Sequence, residues 1–214
     1  MKRVVLLGAS GYTAREIIPR LLEQDDVELT LFARRAAGRL RDLRGERVRV
    51  FEGDAQDTDA LKEAIKGQDI VVSAMGGMDL GDLTQRVVEV MEDLGVRRII
   101  AISAGGIYDE LPEPFNAWDK SIVGATRPAN LKTAKVIEKS SLDYTILRPV
   151  WLTNKPVEDV ELTRKGETFK GTETSRASLG RFVADLVKHP ERHVNEDLGI
   201  SQPHTDGDKP AAYR

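Results

Sequence analysis

The most constraining stretch lies almost at the start of the chain: Val4-Val5-Leu6-Leu7-Gly8-Ala9-Ser10-Gly11-Tyr12-Thr13-Ala14. An apolar run ends in glycines, and a helical pattern begins at once. That order predicts a buried strand, a tight turn and a helix N-terminus. Such a turn aims unpaired backbone N–H groups and the positive end of the helix dipole at one point, where a pyrophosphate fits. Glycine is required where a Cβ would block the turn or the close approach of phosphate. Taken alone, Gly-x-x-Gly-x-x-Ala also opens plain strand–helix turns, so its meaning rests on the residues downstream of it.

Downstream, strand and helix patterns alternate. Strand patterns fall at 3–7, 27–32, 47–51, 69–73, 98–102 and 143–147. Helical patterns fall at 15–23, around Leu61, Ala64 and Ile65, at 82–94, and in a segment ending over 132–139. Near-continuous Val/Ile/Leu strands separated by helices mean a parallel sheet covered on both faces. The expected fold is α/β, a Rossmann-type doubly wound parallel sheet in the order 3-2-1-4-5-6 with right-handed crossovers. After Pro149 the pattern breaks down. Residues 150–175 are polar and irregular, a helix returns at 177–188, and a short strand at 197–200 precedes the tail. The segment 149–214 is therefore expected to form a small C-terminal lobe packed on the edge of the sheet, within a single domain spanning 1–214.

Composition closes off several function classes. Hydrophobic residues make up 40% of the chain, enough for a core, and the net charge of −3 implies neither a nucleic-acid nor a membrane partner. There is no cysteine, which excludes disulfides, thiolate catalysis and cysteine-bound metals. His189 and His193 are separated by Pro190, which interrupts the helical face that an i, i+4 metal pair needs, so no metal site is expected. A strand at the first residues and the lack of a long apolar run point to a cytoplasmic protein.

In an open parallel sheet, ligands bind where the strand C-termini meet the crevice. Strand one supplies Gly8, Ser10, Gly11, Tyr12 and Thr13. Strand two ends at Ala33-Arg34-Arg35. A site for NAD would place Asp or Glu there, to accept from the ribose 2′-hydroxyl. Arg34 and Arg35 instead suit a 2′-phosphate, which predicts NADP(H) in preference to NAD(H). A solvated basic turn is the plainer reading of the same pair. Strand three leads into Gly53-Asp54-Ala55, where Asp54 suits an adenine amino group or, equally, a helix cap. Strand four ends in Ser73-Ala74-Met75-Gly76-Gly77, where the small residues let the backbone approach the cofactor ribose, which puts Ala74, Met75 and Gly76 among the cofactor residues. Ser103 ends strand five and suits a substrate carbonyl or a nicotinamide ribose, or else a bond to backbone. Tyr108 comes next as a candidate proton donor, or as an ordinary packed tyrosine. Ser103 and Tyr108 are the two catalytic candidates.

Gly8-Ala9-Ser10-Gly11, Gly53-Asp54, Ile102-Ser103-Ala104 and Ser141-Leu142-Asp143-Tyr144-Thr145-Ile146-Leu147-Arg148-Pro149 together resemble the atypical short-chain dehydrogenase/reductases. More narrowly, the chain resembles their NmrA-like, NAD(P)-binding branch, which is similar to flavin and biliverdin-IXβ reductases. The resemblance covers nearly the whole chain. It implies that the loop Pro149-Val150-Trp151-Leu152 wraps the nicotinamide side, adding Pro149 and Trp151 to the cofactor residues. One departure matters. Catalytically typical members carry Tyr-x-x-x-Lys before strand six, and an ungapped count puts that pair at Thr126 and Asn130. Neither residue can do the work, and no Tyr-x-x-x-Lys occurs anywhere in the chain. Lys132 and Lys135 lie nearby as alternative cations, or as solvated helix residues.

Three functions fit these residues. The first is an NADPH-dependent reductase of a small, flat acceptor, flavin- or quinone-like, bordered by Gly76, Ser103, Tyr108, Trp151 and Leu152. The second is a non-catalytic NADP(H)-binding redox sensor that reports to a protein partner. The third, a sugar-nucleotide epimerase or dehydratase, is disfavoured by the missing Tyr-Lys pair and the short C-terminal segment.

Overall fold

The computed structural model describes residues 1–214. Its first half alternates β1 (Lys2–Leu7), α1 (Ala14–Leu22), β2 (Val27–Ala33), α2 (Ala36–Arg39), β3 (Val48–Glu52), α3 (Thr58–Ile65), β4 (Ile70–Ser73), α4 (Leu80–Leu94) and β5 (Arg98–Ile102). The second half adds α5 (Phe115–Val123), α6 (Arg127–Glu138), β6 (Asp143–Pro149), β7 (Trp151–Thr153), β8 (Glu161–Arg164), β9 (Glu173–Ser175), α7 (Arg176–Lys188) and β10 (Glu196–Ser201). The main sheet runs β3-β2-β1-β4-β5-β6-β10-β8. Its first six strands take the expected order and are all parallel. It is a Rossmann-type α/β fold.

Side-chain alternation divides the core in two. Val4 and Leu6 of β1 face α1 and α7, packing with Ile17, Leu21, Leu179 and Val183. Val5 and Leu7 face the other way, onto Leu61, Val87, Met91 and Ile137 of α3, α4 and α6. Successive strand residues point to opposite faces, so a strand buried on both sides must be apolar throughout. Gly180 marks how tightly α7 seats on α1: a Cβ there would lie 2.7 Å from the Glu16 carbonyl oxygen.

The C-terminal segment differs from its sequence reading. Only β7 and β9 form a separate sheet, a parallel pair. β10 joins the main sheet beside β6, and β8 adds an antiparallel edge strand. β8 carries little strand signal because, as an edge strand, it keeps Glu161 and Arg164 toward solvent. β10 buries Asp197, a residue ordinarily absent from strand interiors, because the fully buried Arg148 of β6 pairs with it. α5 has no counterpart in the sequence reading, although Phe115, Trp118 and Ile122 stand at helical i, i+3, i+7 spacing.

Arg148 organises this end of the sheet. Its Nε donates to Asp197 Oδ1, and its Nη1 donates to Glu110 Oε1. Glu110 in turn accepts from the amides of Gly106 and Tyr108, at 3.0 and 2.9 Å. One buried guanidinium thus ties β6 to β10 and to the loop after β5. Removing it strands two carboxylates without a counter-charge, a loss worth about 3–5 kcal/mol for a buried pair. Arg148→Met is expected to lower unfolding stability by that order in urea titration. A change below about 0.5 kcal/mol, typical of surface sites, would contradict this account.

Candidate functional site

The strand C-termini all open on one edge of the sheet, and the site is built there. β1 runs into Gly8, whose φ is +80°. A Cβ at Gly8 would sit 2.8 Å from the Ala74 carbonyl oxygen, so only glycine lets the ends of β1 and β4 meet. Gly8 and Ala9 donate their amides to the Phe32 carbonyl, and Gly11 donates to the Gly8 carbonyl. The amides of Ser10, Tyr12 and Thr13 donate to no protein acceptor. Thr13 begins α1 without a side-chain cap. These unpaired donors and the dipole of α1 converge on the turn, a fit for a pyrophosphate.

The crevice above the turn is lined by Gly8, Ser10, Gly11, Arg34, Asp54, Ala55, Ala74, Met75 and Gly76, all expected from sequence. The structure also brings in Arg39, Gln56 and Asp79, which sequence reading missed. Arg35 does not line it. Its backbone takes the left-handed conformation at φ 55° just before α2, and Arg39, at the end of that short helix, reaches the crevice instead. The density of arginines from 34 to 44 was the available signal. Asp54 proves not to be the helix cap. That role belongs to Asp57, whose Oδ1 accepts from the Asp59 and Ala60 amides at 3.0 and 3.2 Å. Asp54 accepts only from the Gln56 amide and stays in the crevice wall. Tyr12 and Thr13 do not line the crevice: Tyr12 is exposed with the Arg15 guanidinium 4.9 Å from its ring centroid, and Thr13 is the N-cap residue of α1.

A second cleft opens over the ends of β5 and β6. Ser103, Gly105, Pro149, Val150, Trp151 and Leu152 line it, together with Asp119, Thr126 and Arg176. Ser103 is buried, and its hydroxyl donates to the Asn130 carbonyl at 3.1 Å. Asn130 Nδ2 donates to the Thr126 carbonyl at 3.0 Å. The ungapped count thus carries Thr126 and Asn130 to the side of Ser103, and neither offers a titratable group. Lys132 is turned away, paired with Asp82 on α4. Trp151 forms one wall, braced by Trp118 at 5.2 Å and Tyr213 at 5.1 Å between ring centroids.

Tyr108 lines neither cleft. Its hydroxyl donates to Asp197 Oδ2 at 2.7 Å, and its ring lies 5.1 Å from the Arg148 guanidinium. Burial, and then the Asp197 carboxylate, push the phenol well above its ordinary pKa. Tyr108 therefore belongs to the Arg148 network, and Gly76 lines the first crevice rather than the second. Asp119, which sequence reading passed over, is buried and bonds Arg127 Nη2 at 2.7 Å. Burial raises its carboxyl pKa against the lowering effect of Arg127.

Comparison with known proteins accords with this geometry. A family model described as NAD(P)H-binding matches residues 8–190. A short-chain dehydrogenase/reductase of Veillonella parvula, solved in complex with NADP, superposes with a TM-score of 0.92 at 28% identity, covering 98% of this chain and 99% of that one. A Rossmann-fold NAD(P)-binding protein of Shigella flexneri is 39% identical over 98% of both chains, with a TM-score of 0.81. A phenylcoumaran benzylic ether reductase of Ginkgo biloba is 23% identical over 94% of this chain and 69% of its own length. No helix of the structure is long and apolar enough to cross a membrane.

The turn yields a paired prediction. A Cβ at Gly11 meets only the Gly8 carbonyl oxygen, at 3.3 Å, whereas one at Gly8 meets the Ala74 backbone at 2.8 Å. Gly11→Val is expected to keep its circular dichroism and lose nucleotide binding, measured by calorimetric titration. Gly8→Val should lose both. Unchanged binding in Gly11→Val would mean that the turn serves structure alone.

Proposed function

The chain belongs to the NAD(P)H-binding family matched over residues 8–190, and from that premise we propose that it is an NADPH-dependent reductase of a small, flat, conjugated acceptor, flavin- or quinone-like. The observation that carries this reading is the second cleft. It adjoins the phosphate crevice, has an aromatic wall in Trp151, and carries Thr126 and Asn130 where an alcohol-activating pair would stand. Bound NADPH supplies a hydride. The protein's residues orient the partners: Ser10, Tyr12 and Thr13 offer amides to the pyrophosphate, and Ala74 to Gly76 border the adjoining ribose. Val150, Trp151 and Leu152 hold an apolar ring system over the strand ends and exclude water from it. A conjugated acceptor disperses the incoming charge over its own rings, so stacking and alignment suffice.

Cofactor preference stems from the crevice edge. Arg34 and Arg39 line it, and β2 runs into Arg34-Arg35 where an acid would favour a ribose 2′-hydroxyl. NADP(H) is expected to bind at least about tenfold tighter than NAD(H), the order of one charge-assisted phosphate contact. Arg34→Ala and Arg39→Ala should each narrow that ratio in calorimetric titration. Equal binding of the two cofactors by the unaltered protein would overturn the assignment.

Activity is tested by steady-state NADPH oxidation against flavins, quinones, aldehydes and ketones. Turnover is expected with the flat acceptors alone, and simple secondary alcohols should not be oxidised by NADP+. Trp151→Ala should lower kcat/KM for the acceptor by about tenfold while NADPH affinity holds. Tyr108→Phe should have little effect. Robust turnover of a simple ketone, lost in Tyr108→Phe, would contradict this reading. Tight NADPH binding with turnover of nothing would favour the sensor alternative.

A further inference from the structure

We infer that the acceptor carries an anionic group, a carboxylate or phosphate, and that Arg176 at the rim of the second cleft binds it. The inference rests on the reductase reading and adds a charge requirement to it. Arg176 is the first residue of α7 and lines the cleft beside Trp151 and Leu152. Its Nη1 donates to Asn154 Oδ1 at 2.8 Å and points at the Leu152 carbonyl at 3.5 Å. Both partners are neutral. Its Nε is buried and donates to nothing, Nη2 has no protein acceptor, and no carboxylate forms an ion pair with the group. The nearest ring is Tyr12, with its centroid 5.9 Å away.

A half-buried guanidinium without a counter-charge is costly, and unpaired donors on it add to the cost. Burial accordingly pulls Arg176 below its ordinary pKa, although a guanidinium stays charged. The other charges of the cleft do not compensate it. Asp119 spends its negative charge on Arg127 at 2.7 Å. Arg15 adds a second positive charge 4.9 Å from the centroid of the same Tyr12 ring. The N-terminus of α7 is already satisfied, since Ser175 Oγ accepts from the Ala177 amide at 3.1 Å. What this rim lacks is an anion, and the Nη2 group of Arg176, left without a protein acceptor beside an aromatic ring, suits a carboxylate or phosphate on a ring-bearing molecule.

Two matched pairs of probes test this: FMN against riboflavin, and a naphthoquinone bearing a sulfonate against the same quinone without it. Each pair shares one ring system and differs in charge. Dissociation constants are measured by fluorescence quenching with the NADP+-loaded protein, alongside kcat/KM for NADPH oxidation. The anionic member of at least one pair is expected to bind about tenfold to a hundredfold tighter than its neutral partner. Arg176→Gln should collapse that ratio toward one, while Arg176→Lys, which keeps the charge, should retain most of it. Equal binding of charged and neutral members, or binding of none of the four, overturns the inference. So does a ratio that survives in Arg176→Gln. If Arg176→Gln instead weakens NADPH binding as much as it weakens FMN binding, the anion read by Arg176 is the cofactor's own phosphate and the inference also fails. Equal reduction of all four probes would leave the reductase reading standing, whereas discrimination in binding without any NADPH oxidation would overturn that reading alone.

Discussion

Everything proposed for this molecule depends on the turn between β1 and α1, where the amides of Ser10, Tyr12 and Thr13 donate to no protein acceptor. A helix N-terminus carries orphan N–H groups that a side-chain cap can satisfy, as Asp57 does for α3 and Ser175 for α7, while α4, α5 and α6 go without one as α1 does. α1 has no such cap, and the amides of Ser10, Tyr12 and Thr13 point outward instead. The arrangement is possible because Gly8 holds a positive φ and lets the end of β4 press against the turn. The same glycine thus aims the donors and brings Ala74, Met75 and Gly76 to the crevice wall. The rest of the site is laid out along the strand ends, in the order the sheet imposes.

The second cleft adds buried charge to backbone pairing, in which the Ser103 and Gly105 amides donate to the Leu147 and Pro149 carbonyls, each at 2.8 Å. Arg148 ties Glu110 and Asp197 together beneath it, and Arg127 holds Asp119 in its wall. Buried pairs of this kind contribute little net stability but strongly penalise any arrangement that separates them. Through Glu110, Arg148 holds the loop after β5 at Gly106 and Tyr108. Arg176 is the exception, a cation in the same wall without an acidic partner. The contrast between guanidiniums that face a carboxylate and the one that does not separates what holds the cleft from what the cleft receives.

The parallel half of the fold was legible in the sequence because β1 to β6 are buried on both faces and must be apolar throughout. The phosphate turn was legible for a related reason: its glycines answer steric demands that no other residue meets. β10 was legible as a short strand, but its place beside β6 was not. The ion pair that seats it joins Asp197 to Arg148, 49 positions away, and no local pattern reports such a partner. Arg35 and Tyr108 looked like site residues by distance along the chain, but a left-handed backbone turn and a buried carboxylate carried them elsewhere. Arg39, Asp119 and Arg176 went unnoticed for the converse reason. They reach the strand ends from helices whose sequence positions lie outside the strand-end loops, so only tertiary packing brings them to the site.

The central claim is direct hydride delivery to an acceptor held over the strand ends. An anaerobic single-turnover experiment tests it: the protein loaded with NADPH is mixed with FMN, and both absorbances are tracked in time. The account predicts that one NADPH is consumed per flavin reduced. It also predicts that deuterium at one of the two transferable nicotinamide positions slows the step, while deuterium at the other does not. Flavin reduction at the same rate with either deuterated cofactor, or tight NADPH binding with no flavin reduction, would contradict it.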